Sequence, residues 1–147
     1  MRKFLSAIIF FVTIVVFNFT NAAAVEIAYW NGDPDFPIWV ERDDNSKVVF
    51  KISSARELDA KFTQNRKLIL FDVYDIESNG RITEHLIGPN GGYGLFYNNN
   101  TFVVFYPESR RFPEGQQIEI ENPYQIKICK ILINESYQHD KMSMPGR

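Results

Sequence analysis

Residues 68–87 read LILFDVYDIESNGRITEHLI, and this stretch decides the fold. Two apolar-rich arms meet at Ser78-Asn79-Gly80, a turn signal in which glycine takes a positive φ without strain. A three-residue loop pairs Glu77 with Arg81, sets Ile76 opposite Ile82 and, in the same register, sets Phe71 opposite Ile87. A two-residue loop would set Ile76 against Thr83 instead, so the apolar pattern selects the longer loop. The stretch is a long β-hairpin.

Similar short runs lie on either side of it. Val25–Trp30 stops at the breaker Asn31-Gly32-Asp33-Pro34. Ile38–Arg42 and Lys47–Ile52 flank Asp43-Asp44-Asn45-Ser46, a hairpin turn. Gly94–Tyr97 and Thr101–Tyr106 flank Asn98-Asn99-Asn100, where asparagine tolerates the left-handed backbone, and Pro107 ends the second run. Such runs in a chain with 13 Phe, 7 Tyr and 2 Trp predict a mainly β domain. The expected form is an antiparallel meander, or a partly closed small barrel, of about seven strands.

Two segments depart from that rhythm. Ser54-Ala55-Arg56-Glu57 matches a capping box, with Leu58 and Phe62 at helical spacing from Ala55, and predicts a short helix near 55–63. Asn122-Pro123 supplies an N-cap followed by proline at the first helical position. Ile128, Cys129, Leu132, Ile133 and Tyr137 then recur on one stripe, predicting a C-terminal helix packed on one face of the sheet. The polar residues 138–147 are expected to fray.

The N-terminus carries the clearest functional signal. Arg2-Lys3 precedes sixteen mostly apolar, uncharged residues, Phe4–Phe19, and then Thr20-Asn21-Ala22-Ala23-Ala24. Ala22-x-Ala24 fits the small-residue rule for signal peptidase, so residues 1–24 read as a secretory signal peptide and 25–147 as one domain. The apolar core is shorter than the roughly 20 residues of a spanning helix. The expected location is therefore periplasmic or extracellular, with a membrane tether only if the signal stays uncleaved. Without Arg2 and Lys3, 14 basic residues face 18 acidic ones, a net charge of −4. That balance argues against nucleic acid or an anionic membrane as a non-specific partner. Cys129 is the single cysteine, so no intrachain disulfide forms.

Residues 75–83 resemble the first nine positions of an EF-hand loop, which makes Asp75, Glu77 and Asn79 candidate cation ligands. Position 12 is Leu86 rather than a bidentate carboxylate, and strands flank the loop, so a polar hairpin tip accounts better for it. The glycine-rich loop at 88–94 lacks the Lys-Ser/Thr of a P-loop and leads into a strand; it reads as a connection, or as a binding loop carrying Tyr93. His85, His139 and Cys129 show no metal or nucleophile spacing, and turn formation explains Asp33/Asp35 and Asp43/Asp44. Cys129 reads as a small buried hydrophobe and His85 as a cross-strand residue, although a Cys129/His85 or Cys129/His139 pair could assemble from distant residues. Asn99-x-Thr101 and Asn134-x-Ser136 are glycosylation sequons, relevant in a eukaryote.

The functional expectation is an exported binding protein without cofactor. It would meet a protein partner through a sheet face or through loop aromatics, with Trp30 and Tyr93 as the candidate recognition surface. The alternative is a small-ligand or weak Ca2+ site in the barrel interior or at the 75–79 tip. A small hydrolase is disfavoured.

Overall fold

The computed structural model describes residues 24–58, 67–87, 93–106 and 115–143, with side chains as far as His139. The signal segment before Ala24, residues 59–66, which include the second half of the short helix expected near 55–63, and 88–92 of the glycine-rich loop lie outside the described residues. The strands are β1 (Ile38–Glu41), β2 (Lys47–Leu58), β3 (Lys67–Ile76), β4 (Ile82–His85), β5 (Tyr93–Asn98), β6 (Thr101–Tyr106) and β7 (Gln116–Glu119). One helix follows, α1 (Pro123–Ser143). All seven strands form one antiparallel sheet in the order β1-β2-β3-β5-β6-β7, with β4 paired to β3. The sheet curls into a half-barrel, and α1 packs against its inner face.

The 68–87 hairpin closes as its sequence requires, with Ile76 opposite Ile82 and the Glu77 N–H donating to the Arg81 carbonyl at 2.8 Å. Gly80 sits at φ 85°. The ladder stops sooner than the pattern suggests. β4 ends at His85, opposite Val73, and Phe71 pairs with Tyr93 of β5 instead of Ile87. β4 and β5 therefore lie end to end along one edge of β3. Asp72 sits at the join, where its Oδ1 accepts the Ile87 N–H at 2.8 Å.

On the other edge of β3, β2 carries a large bulge. Lys51 pairs with Asp72 and Arg56 with Leu70, so four β2 residues face the single residue Phe71. A bulge bends and twists its strand. Ser54 and Asp35 close it. The Ser54 Oγ donates to the Lys51 carbonyl at 2.6 Å and accepts the Asp72 N–H at 2.8 Å. The Ile52 and Ser53 N–H groups donate to Asp35, to its backbone oxygen (2.9 Å) and its carboxylate (2.6 Å). Ser54 is thus a strand residue, and the helix expected from Ser54 does not form over 54–58. Its hydroxyl serves a bulge rather than a helix N-terminus.

Two other expectations change. Val25–Trp30 is not a strand: Tyr29 makes one isolated bridge to Pro37, and a single 3-10 turn follows at Trp30–Gly32. Pro37 has no N–H to extend that ladder. The seventh strand is instead β7, whose Ile118 pairs with Val104, and Ile120, just past its end, is buried. The asparagine-rich turns hold: Asn45 and Asn99 take φ 64° and 52°.

The inner face gathers Trp39, Phe50, Phe71, Val73, Leu95 and Val104 against Ile128, Cys129 and Leu132 of α1. Asn122 caps the helix, its Oδ1 accepting the Tyr124 N–H at 2.9 Å. The buried stripe continues through Ser136, whose hydroxyl donates to the Ile133 carbonyl, while Tyr137 is 38% exposed. α1 runs to Ser143, through the start of the segment expected to fray.

Replacing Ser54 with Ala leaves the Asp72 N–H without its acceptor inside a half-buried site. The expected cost is about 1–3 kcal/mol, read as a lower urea midpoint. An unchanged midpoint would contradict the role given to the hydroxyl.

Candidate functional site

The interior is occupied by side chains. Trp39 stacks on Phe50 at 4.5 Å between ring centroids, and Phe50 meets Phe71 at 4.7 Å. The Trp39 Nε1 donates to the Tyr106 hydroxyl at 3.3 Å. Cys129 is fully buried, and burial pushes its thiol up to about 12. A thiol so placed is a poor nucleophile.

The two aromatics expected to form a recognition surface lie on opposite faces. Tyr93 begins β5 on the inner side, edge-on to His85 (5.6 Å) and Tyr106 (5.4 Å). Burial, aided by the Asp75 charge, pushes its hydroxyl up to about 12. Trp30 packs edge-on to Phe36 at 5.8 Å, beside the outer cluster of Ile38, Val49 and Ile76. They do not make one surface.

The three candidate cation ligands are engaged in other contacts. Asp75 pairs with His85 across the strands at 3.0 Å. Glu77 accepts from the Asn79 amide at 3.2 Å, and the Asn79 Oδ1 accepts the Arg81 N–H at 2.8 Å. Among the described residues, no group of three or more His, Cys, Asp or Glu side chains is placed to hold a metal ion. Between this tip and the β1–β2 turn lies a depression of about 260 Å3, where Arg42 stands among Asp44, Asp75 and Glu77. His139 lies 3.5 Å from Glu135, so each imidazole faces a carboxylate rather than the Cys129 thiol.

A separate cluster joins the helix to the sheet rim. Lys67 donates to the Tyr137 hydroxyl at 2.7 Å, and the Tyr97 hydroxyl lies 2.9 Å from it. The Lys67 ammonium is 4.6 Å from the ring centroid, so it engages the phenol oxygen more closely than the ring face. The lysine holds the Tyr137 phenol below its ordinary range, and burial with the Tyr137 contact pushes Tyr97 up. The cluster was not read from the sequence, because Lys67, Tyr97 and Tyr137 come from three separate elements.

The outer face of the sheet is unusual in its chemistry. Strand pairing places Leu58, Leu68, Phe96, Val103 and Glu119 in one row across five strands. Arg56, Leu70, Gly94, Phe105 and Gln117 form the next row. The residues that alternate with these rows, Ile69, Phe71, Leu95 and Val104, belong to the core under α1, so the rows themselves point away from α1. An exposed sheet face ordinarily alternates to polar residues. Here six apolar side chains face outward: Leu58, Leu68, Leu70, Phe96, Val103 and Phe105. Leu58 is 38% exposed and the other five are half-buried. A Cβ at Gly94 would lie 2.9 Å from the Leu68 Cδ1, so the missing side chain lets the neighbouring leucine fold across the face. Phe96, Val103 and Glu119, with Asn98 and Thr101, line a depression of about 250 Å3 on this side. The signal was present in LILF, GLF and FVVF, runs that do not alternate.

Comparison with protein-family models, with curated proteins and with solved structures finds no match for this chain.

Two outcomes are expected. Lys67→Met should move the Tyr137 ionisation to higher pH, seen as phenolate absorbance and assigned with Tyr137→Phe; an unmoved ionisation would contradict the contact. Cys129 should stay silent to a thiol reagent in native buffer and react fully in denaturant, and prompt native reaction would show an accessible thiol.

Proposed function

We propose that this chain is an exported, non-enzymatic protein that binds a partner protein outside the cytoplasm through the outer face of β2, β3, β5 and β6. The observation that carries the reading is the pair of rows with six outward apolar side chains. A contiguous apolar patch on a soluble domain marks an interaction surface. Flanking polar residues, Arg56, Gln117 and Glu119, give it the rim found around such patches. Export rests on the charged start, the Phe4–Phe19 apolar core and Ala22-x-Ala24. The filled interior leaves the surface as the place for recognition, and the acidic balance disfavours nucleic acid as the partner.

The test is comparative capture from the fraction outside the cytoplasm. Leu68→Gln with Phe96→Gln should reduce recovery of the captured protein at least tenfold while the melting temperature shifts by only a few degrees. Tyr137→Phe, on the α1 side of the sheet, should leave recovery unchanged. Capture that survives the double substitution would overturn the outer-face reading.

A further inference from the structure

Glu119 contrasts with three of the carboxylates around the sheet. Glu41 is paired with Lys47 at 2.6 Å, Glu57 with Lys67 at 3.7 Å and Glu77 with Arg81 at 4.0 Å. Glu119 has no ion-pair or hydrogen-bond partner for its carboxylate among the described residues. It stands directly beside Val103, which stands beside Phe96, and the three line the depression of about 250 Å3. Asn98 and Thr101, paired at the end of the β5–β6 hairpin, line it as well and offer neutral oxygen acceptors.

We infer that this groove takes a lysine or arginine side chain of the partner protein, an inference that rests on the outer-face reading. Phe96 and Val103 offer apolar surface that suits an aliphatic stem, while Glu119 at the end carries a negative charge, unpaired among the described residues, that suits its head. Long basic side chains bury their methylenes and keep the charge at the edge of such a surface. The ring of Phe96 adds attraction for a cation that comes over its face. An uncharged apolar residue laid in the groove would strip water from Glu119 without compensation, which is unfavourable. An acidic residue would be repelled. The volume is below the several hundred Å3 of a drug-sized pocket and fits one long side chain. The excess of acidic over basic residues, 18 against 16, favours approach of a basic partner.

The test uses protein purified from cells expressing the full chain and three blocked pentapeptides, Gly-Leu-X-Leu-Gly, with X lysine, norleucine or glutamate. Amide chemical shifts are followed at millimolar peptide. The lysine peptide should shift residues 96–103 and 119, and bind about two- to fivefold tighter than the norleucine peptide, the range of an exposed ion pair. Glu119→Gln, an isosteric change at an exposed position, should erase that preference, and 0.5 M salt should reduce it. Equal binding of the lysine and norleucine peptides, a preference that survives Glu119→Gln, or shifts away from the groove would each overturn the inference. Those results leave the outer-face reading to be judged by capture with the Leu68/Phe96 double variant, so the two can fail separately.

Discussion

The structure depends on how one interrupted ladder is closed. Between Lys51 and Arg56 the β2 backbone leaves its pairing with β3, and unpaired N–H groups in a half-buried sheet are costly. Ser54 and Asp35 satisfy them from opposite sides, one with a hydroxyl that both donates and accepts, the other with a carboxylate from a preceding loop. The bulge also reverses which parity of β2 faces inward. Before it Phe50 points at α1; after it Glu57 lies on the inner rim and Leu58 turns outward. Curl and outer chemistry thus share one cause. Without the bulge, Leu58 would lie on the α1 side and the outer row would lose its first member.

The division between faces then sets what the protein can do. The inner face is filled by stacked aromatics and by α1, and its one thiol is buried with them. Polar groups with paired contacts sit at the rims: Asp75 with His85 at one, Lys67 with Tyr137 and Tyr97 at the other. Both sets are largely satisfied by their own neighbours. The outer face differs, since one of its apolar rows ends in a carboxylate, Glu119, that has no partner among the described residues.

Much of the fold was legible in the sequence, for local reasons. Turn residues with positive φ, Asn45, Gly80 and Asn99, stand where the hairpins close, and Asn122-Pro123 starts the helix. What escaped was non-local. The capping box at Ser54 is a real hydrogen-bonding pattern in the sequence, but tertiary pairing with β3 outweighs local preference there. Phe71 could have matched Ile87 or Tyr93 by hydrophobic pattern alone, and nothing nearby distinguishes them. β7 lay in plain alternation, Gln117-Ile118-Glu119-Ile120, yet was too short and polar to stand out. Of the candidate site, the loop aromatics drew attention because of their position. The outer rows required register, since an apolar run says that both faces are apolar but not which residues share one.

The order of elements along the chain has a further meaning. The cover of the inner face, α1, follows every strand, so Phe50, Phe71 and Leu95 are made long before the residues that shield them. Synthesis proceeds from the amino terminus, and domains fold as units. A half-barrel without its helix has an open apolar trough and little to hold it shut. The core is therefore complete only when the residues from Pro123 onward are present.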